Sequence, residues 1–114
     1  MNYSSENGFL EAVKRHSQGI IEGNTQIAND AYAMVVSYAK DLRKSPDRGE
    51  EFLTSLLNDE DLSVVRAAAT YLLPLREVEA VQALEEVAKD GPPLIAFGAE
   101  MTLKEWQAGR LSVD

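Results

Sequence analysis

Apolar side chains recur every three or four residues along nearly the whole chain, the spacing of amphipathic helices. From Glu6 to about Glu22, Phe9, Val13 and Ile20 share one stripe, with Leu10 and Ile21 beside it. Gly23 offers a C-terminal stop, and Asn24 or Thr25 a cap for the next helix. That second helix runs to about Lys44 on Ile27, Ala31, Met34, Tyr38 and Leu42, and Ala28, Val35 and Ala39 widen its apolar face. Ser45 is placed to cap a third helix, with Pro46 at its first position and Asp47 favouring its N-terminus.

Phe52, Leu53, Leu56 and Leu57 give this third helix a short, compact apolar face. A polar turn, Asn58-Asp59-Glu60-Asp61, follows, with Asp61 the expected cap of a fourth helix. There Val64, Val65, Ala68, Ala69, Leu72 and Leu73 make the inner stripe, and Pro74 closes the helix. A fifth helix is predicted from about Arg76 to Lys89 on Val78, Val81, Leu84, Val87 and Ala88. After Asp90-Gly91-Pro92-Pro93 a sixth carries Leu94, Ile95, Ala99, Leu103 and Trp106, and Gly109 stops it. No stretch alternates with a two-residue period, so the expected fold class is all-α.

Shifted by 30 residues, the chain partly matches itself. Val64-Val65 falls on Leu94-Ile95, Ala68-Ala69 on Gly98-Ala99, Leu73 on Leu103 and Leu57 on Val87. Small residues let two helices approach closely while larger ones fill the grooves beside them. A period of this length in a helical chain points to stacked helical hairpins.

The stretch Leu56-Leu57-Asn58-Asp59-Glu60-Asp61-Leu62-Ser63-Val64, followed by Ala67-Ala68-Ala69, resembles a HEAT-type repeat: a polar turn before an inner helix rich in Val and Ala. From Asn24-Thr25-Gln26-Ile27 through Tyr71-Leu72-Leu73-Pro74-Leu75-Arg76-Glu77 to Leu103-Lys104-Glu105-Trp106, the chain is similar to a small bacterial HEAT-like family labelled only as a domain of unknown function. The resemblance implies a single domain over residues 1–114, with six helices in three antiparallel hairpins stacked as a short right-handed solenoid. It is nearly silent on chemistry, because the matching residues are packing residues. In one respect the chain departs from the pattern. HEAT-like repeats usually carry Arg directly after the Val that follows the polar turn; this chain has Val65 there and Arg66 one residue later. One residue rotates a helical side chain by about 100°. Arg66 is therefore expected to face solvent rather than pair with Asp59 or Asp61.

The chain has 114 residues and no cysteine, which suits one globular core and rules out disulfides and thiolate metal sites. Eleven Lys and Arg against nineteen Asp and Glu give a net charge of −8, which argues against nucleic acid as a direct ligand. From residue 58 to the end, eleven acids face five bases, so −6 of that charge belongs to the second half. Met1-Asn2-Tyr3-Ser4-Ser5-Glu6 has neither a cationic nor an apolar leader segment, and no apolar run reaches membrane-spanning length. The expected compartment is the cytoplasm, with no membrane association.

Candidate chemistry is sparse. His16 is the single histidine, and adjacent Ser17 does not share its helix face, so it reads as a boundary residue rather than a general base. Asp59-x-Asp61-x-Ser63 starts like a calcium loop, but Val64 stands where glycine is needed and Thr70 where the bidentate Glu is needed. No glycine pattern suits a phosphate. No enzymatic activity, metal or cofactor is expected, and Trp106 reads as a core or terminal-cap residue.

The functional expectation is a non-enzymatic protein-binding module. Its contacts are expected on the second helix of each hairpin, at Asp30, Asp41, Arg66, Thr70, Glu100 and Lys104, with Tyr32 and Tyr71 as aromatic anchors. Small size and strong acidity suggest an immunity protein that binds and neutralises a bacterial toxin, for instance a nuclease whose cationic surface it would occupy. The alternative is a scaffold or adaptor subunit of another bacterial complex. A monomer is expected ahead of a homodimer.

Overall fold

A computed structural model of the chain describes the backbone of residues 2–44 and 46–111. Its helices are α1 Asn2–Glu22, α2 Thr25–Arg43, α3 Pro46–Ser55, α4 Leu62–Leu72, α5 Glu77–Asp90 and α6 Pro93–Gln107, with a 3₁₀ turn at Leu56–Asn58 after α3. No strand occurs among the described residues, so the chain is all-α. It forms two compact units, Met1–Phe52 and Leu53–Asp114. The cap expected at Ser45 lies outside the described residues; Pro46 opens α3 as predicted.

In the first unit α1 and α2 form an antiparallel hairpin, with Gly8 against Tyr38 at one end and Gly19 against Ala28 at the other. Gly23, with φ of 70°, turns the chain between them. Its N–H donates to the Ile20 carbonyl and that of Asn24 to the Gly19 carbonyl, closing α1 with paired bonds that need a left-handed residue between them. Asn24 then caps α2, its Oδ1 accepting from the Ile27 N–H at 3.1 Å.

Small side chains decide which faces meet. Among the described side chains the buried positions of α1 are Phe9, Ala12, Val13 and Gly19; those of α2 are Ala28, Ala31, Val35, Ala39 and Leu42. A Cβ on Gly19 would lie 2.8 Å from the Ala28 nitrogen, so the two backbones approach closely there. Two expected core residues are displaced as a result. Met34, about 100° off the Ala-rich face, stays exposed. Ile20 shares the angular sector of Phe9 but lies next to the close Gly19–Ala28 contact, at the end of the hairpin, and is also exposed.

The second unit centres on α4, which packs against the 3₁₀ turn, α5 and α6. Asp61 caps it, its Oδ1 accepting from the Ser63 N–H at 3.0 Å and from the Ser63 hydroxyl at 2.6 Å. Asp59 accepts from the Asp61 N–H at 2.8 Å, so both carboxylates hold the turn that starts the helix. Val64, Val65, Ala68, Ala69, Leu72 and Leu73 are all buried, as the apolar stripe predicts. In α5 the buried set is Ala80, Ala83, Leu84 and Val87; in α6 it is Ala99 and Leu103. Val78 and Leu94 do not join it. Val78 is about 200° from Ala80, and Leu94 is nine residues, half a turn net, from Leu103. Both are exposed, so the 30-residue match holds at Ala69/Ala99 and Leu73/Leu103 and breaks at Val64/Leu94.

Candidate protein-interaction surface

The residues expected to make contacts fall into both units, and each is placed by its own unit. In the first, Asp30 and Asp41 lie eleven residues apart on α2, close to three full turns, so they share one face about 16 Å apart. Asp41 is half-buried and pairs loosely with Lys44 at 3.8 Å, a surface pair of small energetic weight. Tyr32 is exposed, and its ring lies 5.8 Å from the His16 ring at 47°, within the range of a tilted aromatic contact. His16 is half-buried on the α1 flank, in agreement with its reading as a boundary residue.

In the second unit α4 supplies Arg66, Thr70 and Tyr71. Tyr71 is 7% exposed, so it is a core residue and not an anchor for a partner. Arg66 does not project into solvent either. It is half-buried, and its Cδ, Nε and Cζ lie 3.4 to 3.6 Å from where a side chain on Gly98 would start. The one-residue shift of the arginine thus lays its stem across α6, at the point where α6 lacks a side chain. Thr70 is half-buried, with its hydroxyl donating to the Arg66 carbonyl one turn back at 2.8 Å. Thr102 does the same to the Gly98 carbonyl at 2.9 Å. Glu100 and Lys104, one turn apart on α6, are exposed and available.

A feature the sequence reading passed over lies on α6 itself. Leu94, Phe97 and Met101 are 61%, 61% and 40% exposed and occupy one 60° sector of the helix, away from Ala99 and Leu103. Their i, i+3, i+7 spacing was legible as a second apolar stripe on a helix that already had one. On α5, Val78 and Val81 floor an open groove of about 560 Å³ whose other described lining residues are Glu77, Gln82 and Glu85. Glu77 is held at one end: Trp106 Nε1 donates to its Oε2 at 2.8 Å. Trp106 is half-buried and ties the end of α6 to the start of α5, the terminal-cap side of its reading.

After Gly109, with φ of 75°, the chain reverses and Arg110 returns to Glu105. Arg110 Nη2 donates to Glu105 Oε2 at 2.6 Å, and Nε lies 3.2 to 3.3 Å from both carboxylate oxygens. This hydrogen bonding holds the Glu105 carboxyl below its ordinary range. Desolvation opposes it, and the guanidinium charge reinforces it. Among the described residues no three His, Asp or Glu side chains converge in a way that could hold a metal ion, and no helix is long and apolar enough to cross a membrane.

No family model matches the chain, and no curated protein matches it in sequence. Its fold is similar to the crystal structure of the protein RPA1889 from Rhodopseudomonas palustris CGA009. The two superpose with a TM-score of 0.84 over 98% of this chain and 93% of the other, at 19% sequence identity. At that identity the likeness concerns the fold.

Proposed function

We propose that the chain is a non-enzymatic protein-binding module of the immunity type, which binds a basic bacterial toxin domain and blocks its working surface. The observation that carries this reading is the exposure of large apolar side chains on an acidic unit. Val78 on α5 and Leu94, Phe97 and Met101 on α6 stand in solvent, within a stretch where eleven acids face five bases. Exposed apolar groups clustered among polar ones mark interaction sites. The carboxylates around them favour a cationic partner and speed its encounter. A nuclease domain, which must present cations to phosphates, is such a partner.

The reading keeps the HEAT-like resemblance. Within the second unit α4 and α6 lie beside each other, as the inner helices of successive repeats would, and each back-bonds a threonine to the carbonyl one turn earlier. It also keeps the cytoplasm as the compartment of action and requires no cofactor. The test is to recover the partner on the tagged chain from its native cells, identify it by mass spectrometry and reconstitute the pair from purified components. A partner that is toxic when expressed alone and harmless with this chain supports the reading. A partner that is a subunit of a housekeeping assembly replaces immunity with the adaptor role, and failure to retain any protein rejects both.

A further inference from the structure

We propose that the groove along α5 is the docking site for a basic amphipathic helix of a partner polypeptide. Its apolar side chains would sit on Val78 and Val81, and its cations would pair with Glu77 and Glu85. This rests on the protein-binding reading above and names the chemistry of the partner at one place on the second unit.

The floor of the groove is apolar and accessible: Val78 is 79% exposed, although it stands in the first turn of a helix whose opposite side is core. An exposed valine beside a half-buried one is what an incoming leucine or isoleucine can cover, each buried methylene contributing about 0.8 kcal/mol. The rim decides which partner. Glu77 and Glu85 line the groove together, and eight residues of helix set them about 12 Å apart. Two lysines or arginines two turns apart on a partner helix span the same distance. Among the described residues neither carboxylate is engaged in an ion pair, so a cation meets no competitor. Glu77 is also oriented in advance, because the Trp106 indole occupies Oε2 and leaves Oε1 to accept. Gln82 between them accepts or donates without adding charge. A shallow face on a single helix is covered by packing ridges of another helix into its grooves, the usual way amphipathic segments are recognised.

The experiment uses Trp106 as reporter, the one tryptophan of the chain, bonded to Glu77 at the end of the groove. The full chain is titrated with a synthetic helical peptide carrying leucines every third or fourth position and lysines two turns apart. Trp106 emission and amide shifts of residues 77–85 are followed. Two control peptides replace the leucines with serine or the lysines with glutamate. Saturable binding is expected for the first peptide only. Val78→Ser should weaken it about fivefold, the loss of roughly one buried aliphatic contact, and Glu85→Gln should weaken it and flatten its salt dependence. The proposal is overturned if the serine control binds as tightly, if the shifts map to residues 94–101 instead, or if both variants bind as the unmodified chain does. The same variants separate it from the broader reading. A reconstituted natural partner that ignores V78S and E85Q sinks the groove and leaves protein binding standing. A natural partner that docks as described but is harmless when expressed alone leaves the groove standing and sinks the immunity reading.

Discussion

Trp106 Nε1 donates a hydrogen bond to Glu77 Oε2 at 2.8 Å, joining two residues 29 positions apart. The bond fastens the last turn of α6 to the first turn of α5, at the end of the hairpin opposite the Gly91-Pro92 turn. Removing the acceptor with Glu77→Ala should cost about 1 kcal/mol, the net worth of a partly solvated hydrogen bond. Chemical denaturation followed by Trp106 fluorescence checks this, and the emission of the native state should shift to the red as the indole loses its partner.

Gly19 and Gly98 make a matched pair of opposite sign. A Cβ on Gly19 would press on the Ala28 backbone, 2.8 Å from its nitrogen and 3.0 Å from its Cα, and α1 must move to accept it. Gly19→Ala is expected to destabilise the first unit by about 1–3 kcal/mol. A Cβ on Gly98 meets only the Arg66 side chain at 3.4 Å, an ordinary contact. Gly98→Ala is expected to stabilise by about 0.5–1 kcal/mol, because the helix interior loses its glycine entropy. Thermal melts of the two variants should move in opposite directions.

Phe9 and Phe97 test burial in the same way. Phe9 is 0% exposed, so Phe9→Ala should cost about 3–5 kcal/mol in denaturant titration. Phe97 is 61% exposed, and Phe97→Ser should stay within about 0.5 kcal/mol of the parent. If the α6 stripe belongs to the partner-binding surface, Phe97→Ser should instead weaken capture of the reconstituted partner.

The Glu105–Arg110 pair predicts a pH effect of known sign. The carboxyl titrates below its unfolded value because Arg110 holds its charged form. Its contribution to stability is therefore complete above the unfolded pKa and is lost as pH falls through the lowered folded value. Carbon-detected NMR titration should find Glu105 titrating below the ordinary glutamate value. Arg110→Ala should bring it back to that value.

Much of this was legible along the chain. Six helices, the Asp61 cap, a cap at Asn24 or Thr25, the Gly23 and Gly109 stops and the whole buried stripe of α4 follow from local spacing and capping chemistry. These features depend on neighbours within one or two turns, and such neighbours are adjacent in the sequence. Phe97 and Met101 were legible too, as a second apolar stripe, but were hidden by the stronger Ala99–Leu103 pattern.

Other assignments needed the packed molecule. Tyr71 and Tyr32 look alike as residues flanking an apolar stripe, yet one is core and the other is exposed beside His16. Arg66 was expected in solvent and lies instead against α6, its stem beside Gly98. Ile20 and Met34 have the character of core residues and are excluded from it by Gly19, Ala28 and Ala31, whose small size sets how closely the helices meet. The amino-acid pattern by itself determined that this chain is helical, roughly where most of its helices start and stop, and the sign of its charge, although α1 begins at Asn2 rather than Glu6 and Leu56 and Leu57 fall in a 3₁₀ turn. Which face of each helix is covered, and which apolar groups remain for a partner, was decided only in three dimensions. Burial depends on the closest approach of segments far apart in the chain, and that distance is set by a few side chains with little bulk.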